Sequence, residues 1–430
     1  MGGLTAALAF ARQGFAHIDV YELASNLGFV GAGIQLAPNM ARILDQLGCW
    51  EEIEREAVDV QETSIRQGSS DEELAHVDLR YIRRDYDKPH MVGHRSTLAG
   101  GIYKACQRYA AIKFHFATAL EDVLAWSPRP KLRFAPRNAA RFDVEADVVL
   151  AADGVKSITR TRMLSALDAS ADIVDTGQAA YRIMLSRDVM AADASLLELV
   201  DSNAVTRWIG EKRHIIAYPV SGGQIYNLST IQPDTHFAAA PSITYTTRGS
   251  KTDMLAVFAD FCPRVQRMLN LVKEDEVCEW KLRVHAPLPA WSHGGVALMG
   301  DACHPTLPHL NQGAAQAIED AACLAVVLAK TPSSAPEDLA RALRVYEKLR
   351  RARATELVEL AAASGRALHL GEGAAKEERD RKFRALKEGR GDGGVPDKWA
   401  DRATQEGIYR HDVVAVAEGE FERVWAECGA

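Results

Sequence analysis

Residues 300–314, Gly-Asp-Ala-Cys-His-Pro-Thr-Leu-Pro-His-Leu-Asn-Gln-Gly-Ala, gather more constrained residue types than any other stretch of the chain. They follow a short apolar run at 296–299 and precede a helix-forming run at 313–328. Asp301 can accept hydrogen bonds from the hydroxyls of a ribose or a ribityl chain. Pro305 and Pro308 stiffen the turn. Gly313 and Ala314 are small, so a flat ring can lie against the backbone where the helix begins. The partial positive charge of that helix end favours a ring that becomes anionic.

Three shorter segments add weaker signals. Gly2-Gly3-Leu4 opens the chain, and Glu22 stands nineteen residues after Gly3, at the end of a strand-like run. In a dinucleotide fold the last glycine of G-x-G-x-x-G begins a helix, and an acid about twenty residues on takes the ribose hydroxyls. Taken alone, a chance glycine pair and a surface glutamate are the plainer account. Asp153-Gly154 follows an apolar run at 147–151, with Ser157 and Arg160 beyond it. That pattern suits a cofactor phosphate or ribose, and a common Asp-Gly turn is its alternative. Arg95, in His94-Arg95-Ser96, stands before a helix-like run at 98–111. It suits a phosphate or a ring edge, or an ordinary surface position.

These segments need elements to hold them. The spacing predicts a helix over 4–13 ended by Gly14, then a strand over 17–22. A Pro-led helix is expected over 38–48. Residues 173–284 are richer in Thr, Tyr and Trp, with alternating segments at 214–220 and 225–231, and are expected to form a separate sheet-rich unit. A long helix is expected over 337–370, then a charged surface helix and loop over 372–394. The fold class is therefore α/β, doubly wound, with an inserted mostly β unit and a helical C-terminus.

The totals exclude other classes. A chain of 430 residues with 47% hydrophobic content exceeds one ordinary domain. A net charge of -7 argues against a nucleic-acid partner. Seven cysteines in no C-x-x-C pair fit a reducing, cytoplasmic setting and offer no zinc site, so no metal is expected. No apolar run approaches the ~20 residues that span a bilayer, so no membrane role is expected.

Together the segments resemble the single-component FAD-dependent aromatic hydroxylases, the group of salicylate hydroxylase and 4-hydroxybenzoate hydroxylase. The resemblance rests on Gly2-Gly3-Leu4, Tyr21-Glu22, Gly31-Ala32-Gly33-Ile34-Gln35, His94-Arg95, Asp153-Gly154 with Ser157 and Arg160, and Gly300-Asp301 through Gly313-Ala314, in the family's order. Arg379-Asp380 and Pro396-Asp397-Lys398-Trp399 look like the fungal salicylate-hydroxylase branch. The resemblance implies a discontinuous FAD-binding domain over 1–70, 91–172 and 285–370, a substrate domain over 173–284 and a C-terminal extension over 371–430. It implies that Gly3, Glu22, Gly33, Arg95, Asp153, Arg160, Asp301, Gly313 and Ala314 hold FAD, with Asp153 to Arg160 also serving NADH or NADPH. Arg182 would pair with a substrate carboxylate or phenolate, Tyr218 would bond the phenolic oxygen, and the Pro308 carbonyl would orient the transferred oxygen. The family begins with a strand and two further glycines, so the FAD-binding fold is expected to lack its first strand and to hold FAD poorly. Two other functions stay open: a flavin dehydrogenase or oxidase on the same scaffold, and a flavin-deficient, non-catalytic relative. The substrate, a small aromatic, the choice of NADH or NADPH and the oligomeric state are left open.

Overall fold

The Gly2–Arg12 helix is rich in Ala and Leu, and nine of its eleven residues are buried. It is therefore an interior helix, apolar on all sides. Gly14, at a φ of +87°, turns the chain out of it. The computed structural model describes residues 1–27, 32–171, 173–235, 246–390 and 395–429. Gly31 and the Gly-Asp-Gly-Gly run at 391–394 lie outside the described residues.

The dinucleotide half is built from two separate parallel pairs. Ile18–Tyr21 pairs with Ile112–His115, and Val149–Ala151 pairs with Val296–Leu298. Among the described residues no strand joins Ile18–Tyr21 to Val149–Ala151. Both pairs nevertheless pack on one core with the Gly2–Arg12 and Gly313–Ala329 helices. The two helices touch closely because Gly2 has no side chain: a Cβ there would lie 3.0 Å from Met299 Cε and 3.3 Å from Ala317 Cβ.

The sheet-rich unit is one eight-stranded sheet in the order Thr246–Arg248, Cys278–His285, Ile173–Ser186, Ile225–Pro233, Arg213–Val220, Ala204–Gly210, Glu62–Gln67, Glu73–Asp78. Its last two strands come from far upstream, so the expected boundary of 173–284 is too narrow. Glu62–Gln67 pairs in parallel with Ala204–Gly210, from Glu62 opposite Ala204 to Gln67 opposite Ile209. Its residues are mostly polar, so no alternation announced it. The ladder to Ala204–Gly210 and the burial of Thr63 and Ile65 place it in the sheet.

The pleat sends alternate residues to opposite faces. Tyr181, Ile183, Ile215, Ala217, Tyr226 and Leu228 pack under helices on one face, with Met254, Val265 and Met268. Arg182, His214, Ile216, Tyr218 and Asn227 therefore share the other face, which meets the dinucleotide half. The Pro336–Leu368 helix runs past both. Residues 371–430 are no appendage: Phe421 and Val424 of the Val413–Glu427 helix join the dinucleotide core, while Trp399, Ile408 and Tyr409 pack with Tyr218.

Candidate functional site

The start of the Gly2–Arg12 helix is where the sequence-distant segments meet. No side chain caps this helix, so its first N–H groups have no side-chain acceptor. Burial lowers the Met1 amino group to about 6, Arg95 pushes the same way, and Asp301 and Glu22 pull against them. All three side chains thus lie within electrostatic reach of one point. Gly3 sits beside Ala152, just before Asp153, since a Cβ on it would be 3.4 Å from the Ala152 Cβ. One Glu22 oxygen accepts from the Ala24 N–H at 2.8 Å. Asp301 is exposed and makes no side-chain hydrogen bond among the described residues.

The 300–314 loop is held from behind by buried charges. Asp320 accepts from the Gly300 N–H at 2.9 Å, meets His304 at 2.6 Å and Arg350 at 2.9 Å. Glu319 meets Arg350 at 2.7 Å, Arg353 at 2.8 Å and Asn39 at 2.7 Å. Burial alone would raise the Asp320 carboxyl, but His304 and Arg350 hold it down at about 2. Burial opposes a charge on His304 as well, yet Cys303 and Asp320 beside it lift it well above the usual imidazole range. This network escaped the sequence reading. Its visible signal was two adjacent acids inside the apolar run GAAQAIEDAACLAVVLA.

The loop's open side has free hydrogen-bonding capacity. The Gly313–Ala329 helix has no side-chain cap. Asn311 Nδ2 is buried without a partner. Gly313 and Ala314 are half-buried and Pro308 is exposed.

Asp153 and Arg160 sit differently from their neighbours. One Asp153 oxygen caps the Ile158–Ala166 helix, accepting from the Thr159 N–H at 3.1 Å and its hydroxyl at 3.0 Å. Arg160 is buried and donates to the backbone carbonyls of Ala302 at 3.1 Å and Val155 at 2.6 Å. Its guanidinium therefore braces the 153–160 turn against the 300–314 loop.

Across the sheet face, Arg182 lies over the Trp280 ring at 4.4 Å. Among the described residues it has no carboxylate partner. Burial, with Arg95 nearby, lowers its guanidinium to about 10. Tyr218 is buried, which raises its phenol well above the ordinary range against the pull of Arg182. Gly33 presses on this face: a Cβ there would stand 2.5 Å from Asn227 Cγ and 2.7 Å from Tyr218 Cε2. Asn227 keeps one buried amide nitrogen without a partner. Arg95, Gly33, Arg182 and Tyr218 therefore form one neighbourhood between the helix start and the sheet. Asn227 and Trp280 were missed because a polar or aromatic residue within a strand gives no sign of which face it takes.

The FAD binding domain family model matches residues 1–361. The chain is 30% identical to 3-hydroxybenzoate 6-hydroxylase of Klebsiella oxytoca, over 86% of this chain and 87% of that one. It is 33% identical to 6-hydroxynicotinate 3-monooxygenase of Bordetella bronchiseptica, over 83% and 87%. A salicylate hydroxylase solved with its substrate superposes with a TM-score of 0.75 at 24% identity, covering 99% of this chain and 95% of that one.

Proposed function

The chain belongs to the FAD-binding family of flavin-dependent aromatic monooxygenases, and from that premise we propose that it hydroxylates a phenolic or carboxylated aromatic ring, using O2 and NADH or NADPH. The observation that carries the substrate class is Arg182: a half-buried cation, stacked on Trp280, with no carboxylate partner among the described residues. A half-buried cation of this kind suits an anionic ligand, because a charge taken partly out of water and left without a partner is costly. A benzoate carboxylate or a phenolate answers it, and the guanidinium fork suits either.

The residues fit FAD on three counts. Asp301 is an exposed acceptor for a polyol. Asn311 Nδ2 and the uncapped Gly313–Ala329 helix are donors without acceptors. The Gly2–Arg12 helix presents its free N–H groups where Glu22, Arg95 and Asp301 converge, as a pyrophosphate requires. FAD when bound supplies the hydride acceptor and the oxygen-activating centre. The protein's own residues do the rest. Arg182 anchors the substrate anion. Tyr218, kept neutral by burial, donates to the ring oxygen and stabilises its charge as the ring is attacked. Trp280 and Ile216 flank the ring and exclude water. The Pro308 carbonyl orients the oxygen that is transferred. Arg160 and Asp153 shape the turn beside the nucleotide.

The test is turnover of a hydroxybenzoate panel with FAD, NADH or NADPH, under labelled dioxygen. One labelled oxygen atom in the product, with the other reduced to water, is the expected outcome. Nicotinamide oxidation with an unlabelled product would support the dehydrogenase or oxidase alternative. A chain that takes up no flavin would support the non-catalytic one.

A further inference from the structure

Three histidines that the hydroxylase reading does not use meet at one point. His214 lies on the Arg213–Val220 strand, His309 follows Pro308 in the loop, and His369 ends the Pro336–Leu368 helix. One ligand nitrogen from each ring lies within 4.8 Å of the others. The ring centres are 4.9 Å apart for His214 and His369, 5.4 Å for His309 and His369, and 5.5 Å for His214 and His309. Three imidazoles bound tetrahedrally at the usual nitrogen–zinc length of about 2 Å hold their centres about 5 Å apart. The trio already has that spacing.

His309 supplies the second observation. It is 1% exposed, and both of its ring nitrogens are buried without a partner. A native core seldom leaves two such nitrogens unsatisfied. The ring fits only because residue 365 is glycine: a Cβ there would fall 2.5 Å from His309 Nε2. His214 Nδ1 and His369 Nε2 lie 2.6 Å apart, sharing one proton between two nitrogens. Moving that proton to the outer ring nitrogen would turn both lone pairs inward.

The surroundings suit a cation. His214 and His309 are buried and His369 is half-buried, so little water competes for their ring nitrogens. Arg207 and Arg379 are the nearby positive charges. Each is matched by a carboxylate: Arg207 by Asp397 at 2.5 Å, both buried, and Arg379 by Asp380 at 2.7 Å. Arg379 also donates to the Leu368 carbonyl at 3.1 Å, and the Lys212 N–H to the His369 carbonyl at 3.0 Å, so the backbone at His369 is fixed. The Arg379-Asp380 and Asp397 motifs of the C-terminal region thus form the wall of this cluster.

We propose that His214, His309 and His369 bind a divalent ion of the zinc class, which fastens the 300–314 loop to the sheet and to the end of the long helix. Three protein ligands leave a fourth corner for water. The ion holds His309, and through it Pro308, at a fixed height over the sheet face that carries Tyr218. It takes no part in electron transfer, since zinc has no redox chemistry in proteins.

An untagged full-length chain, loaded with Zn2+ and dialysed against metal-free buffer, is assayed for metal by mass spectrometry. One equivalent per chain is expected, together with a rise in melting temperature. His369→Ala, at a half-buried position, is expected to retain only background metal, with zinc affinity weakened about 100-fold or more. Replacing Zn2+ by Co2+ in the wild type is a second reading that needs no variant. The visible bands of an all-nitrogen tetrahedral site are expected, without a sulfur-to-cobalt band. Sub-stoichiometric retention by the wild type overturns the proposal. So does equal retention by His369→Ala, or a thiolate band, which would put the ion at the other cluster, Cys303, His304 and Asp320.

Discussion

The Gly33 N–H donates to the Asn227 side-chain oxygen at 2.7 Å. This one bond joins the Gly33–Leu36 strand of the dinucleotide half to the centre of the eight-stranded sheet. It sets the separation between the Arg95 neighbourhood and the Arg182 neighbourhood, because Gly33 also rests on the Tyr218 ring. Under the proposed function, a substrate ring held by Arg182 has to fit within that separation.

Gly33→Ala is therefore expected to be costly. The added methyl would sit well inside contact distance of Asn227 and Tyr218, and neither can retreat within a buried sheet. Overpacking of this kind costs about 1–3 kcal/mol. A lowered melting temperature, with weakened flavin and substrate binding, is the expected result. An unchanged melting curve would mean that the two halves are not in such close contact.

Arg182→Ala is expected to weaken binding of a carboxylated or phenolate substrate. A hydrogen bond to a charged group contributes about 1.5–3 kcal/mol, or about 10- to 150-fold in affinity. Arg182→Lys should restore only part of it, since the ammonium lacks the fork and the stack on Trp280. Substrate titration followed by flavin absorbance measures it, together with the fraction of NAD(P)H oxidation coupled to hydroxylation. Equal affinity and coupling in the Ala variant would remove Arg182 from the substrate site.

Asp301→Ala separates binding from folding. The side chain is exposed and makes no side-chain hydrogen bond among the described residues, so the flavin-free protein should melt within about 0.5 kcal/mol of the wild type. FAD affinity should fall about 10-fold or more, as expected for a lost bond to a carboxylate. Equal FAD affinity would contradict the ribityl assignment.

Asp320→Asn tests the support behind the loop. The folded carboxyl titrates at about 2, below its ordinary unfolded value of about 4. A depressed acid contributes its stability in full above the unfolded value, and loses it as pH falls through the folded one. The wild type should therefore be the more stable by about 3–5 kcal/mol at neutral pH, because the variant leaves Arg350 and His304 under-compensated. The gap should narrow by about 2–3 kcal/mol between about pH 4 and pH 2. Melting temperatures measured across that window check the sign, and a gap that stays constant into acid would refute it.

Much of the site could be read from neighbours in the chain. The apolar run before Gly300, the two prolines and the small Gly313-Ala314 pair are local facts, and each element they imply is present. The Gly2–Arg12 helix, the Ile18–Tyr21 strand, the alternating strands around Tyr218 and the helix from Gly313 follow from periodicity and turn chemistry within a few residues. The reading weakened where a residue's position depends on something distant. Arg160, expected at a phosphate, was spaced correctly along the chain, yet its guanidinium turns inward to the Ala302 carbonyl.

Residue spacing alone determined the order of the elements and the loop at 300–314. Only the tertiary structure decided that the polar run Glu62–Gln67 completes the sheet, that Arg182 stacks on Trp280, and that His214 meets His369 across 155 positions of chain. The physical reason is the range of the forces involved. Backbone preference and hydrophobic period act over a turn or a strand. The face a side chain shares with a remote partner is chosen only when the sheet and helices pack.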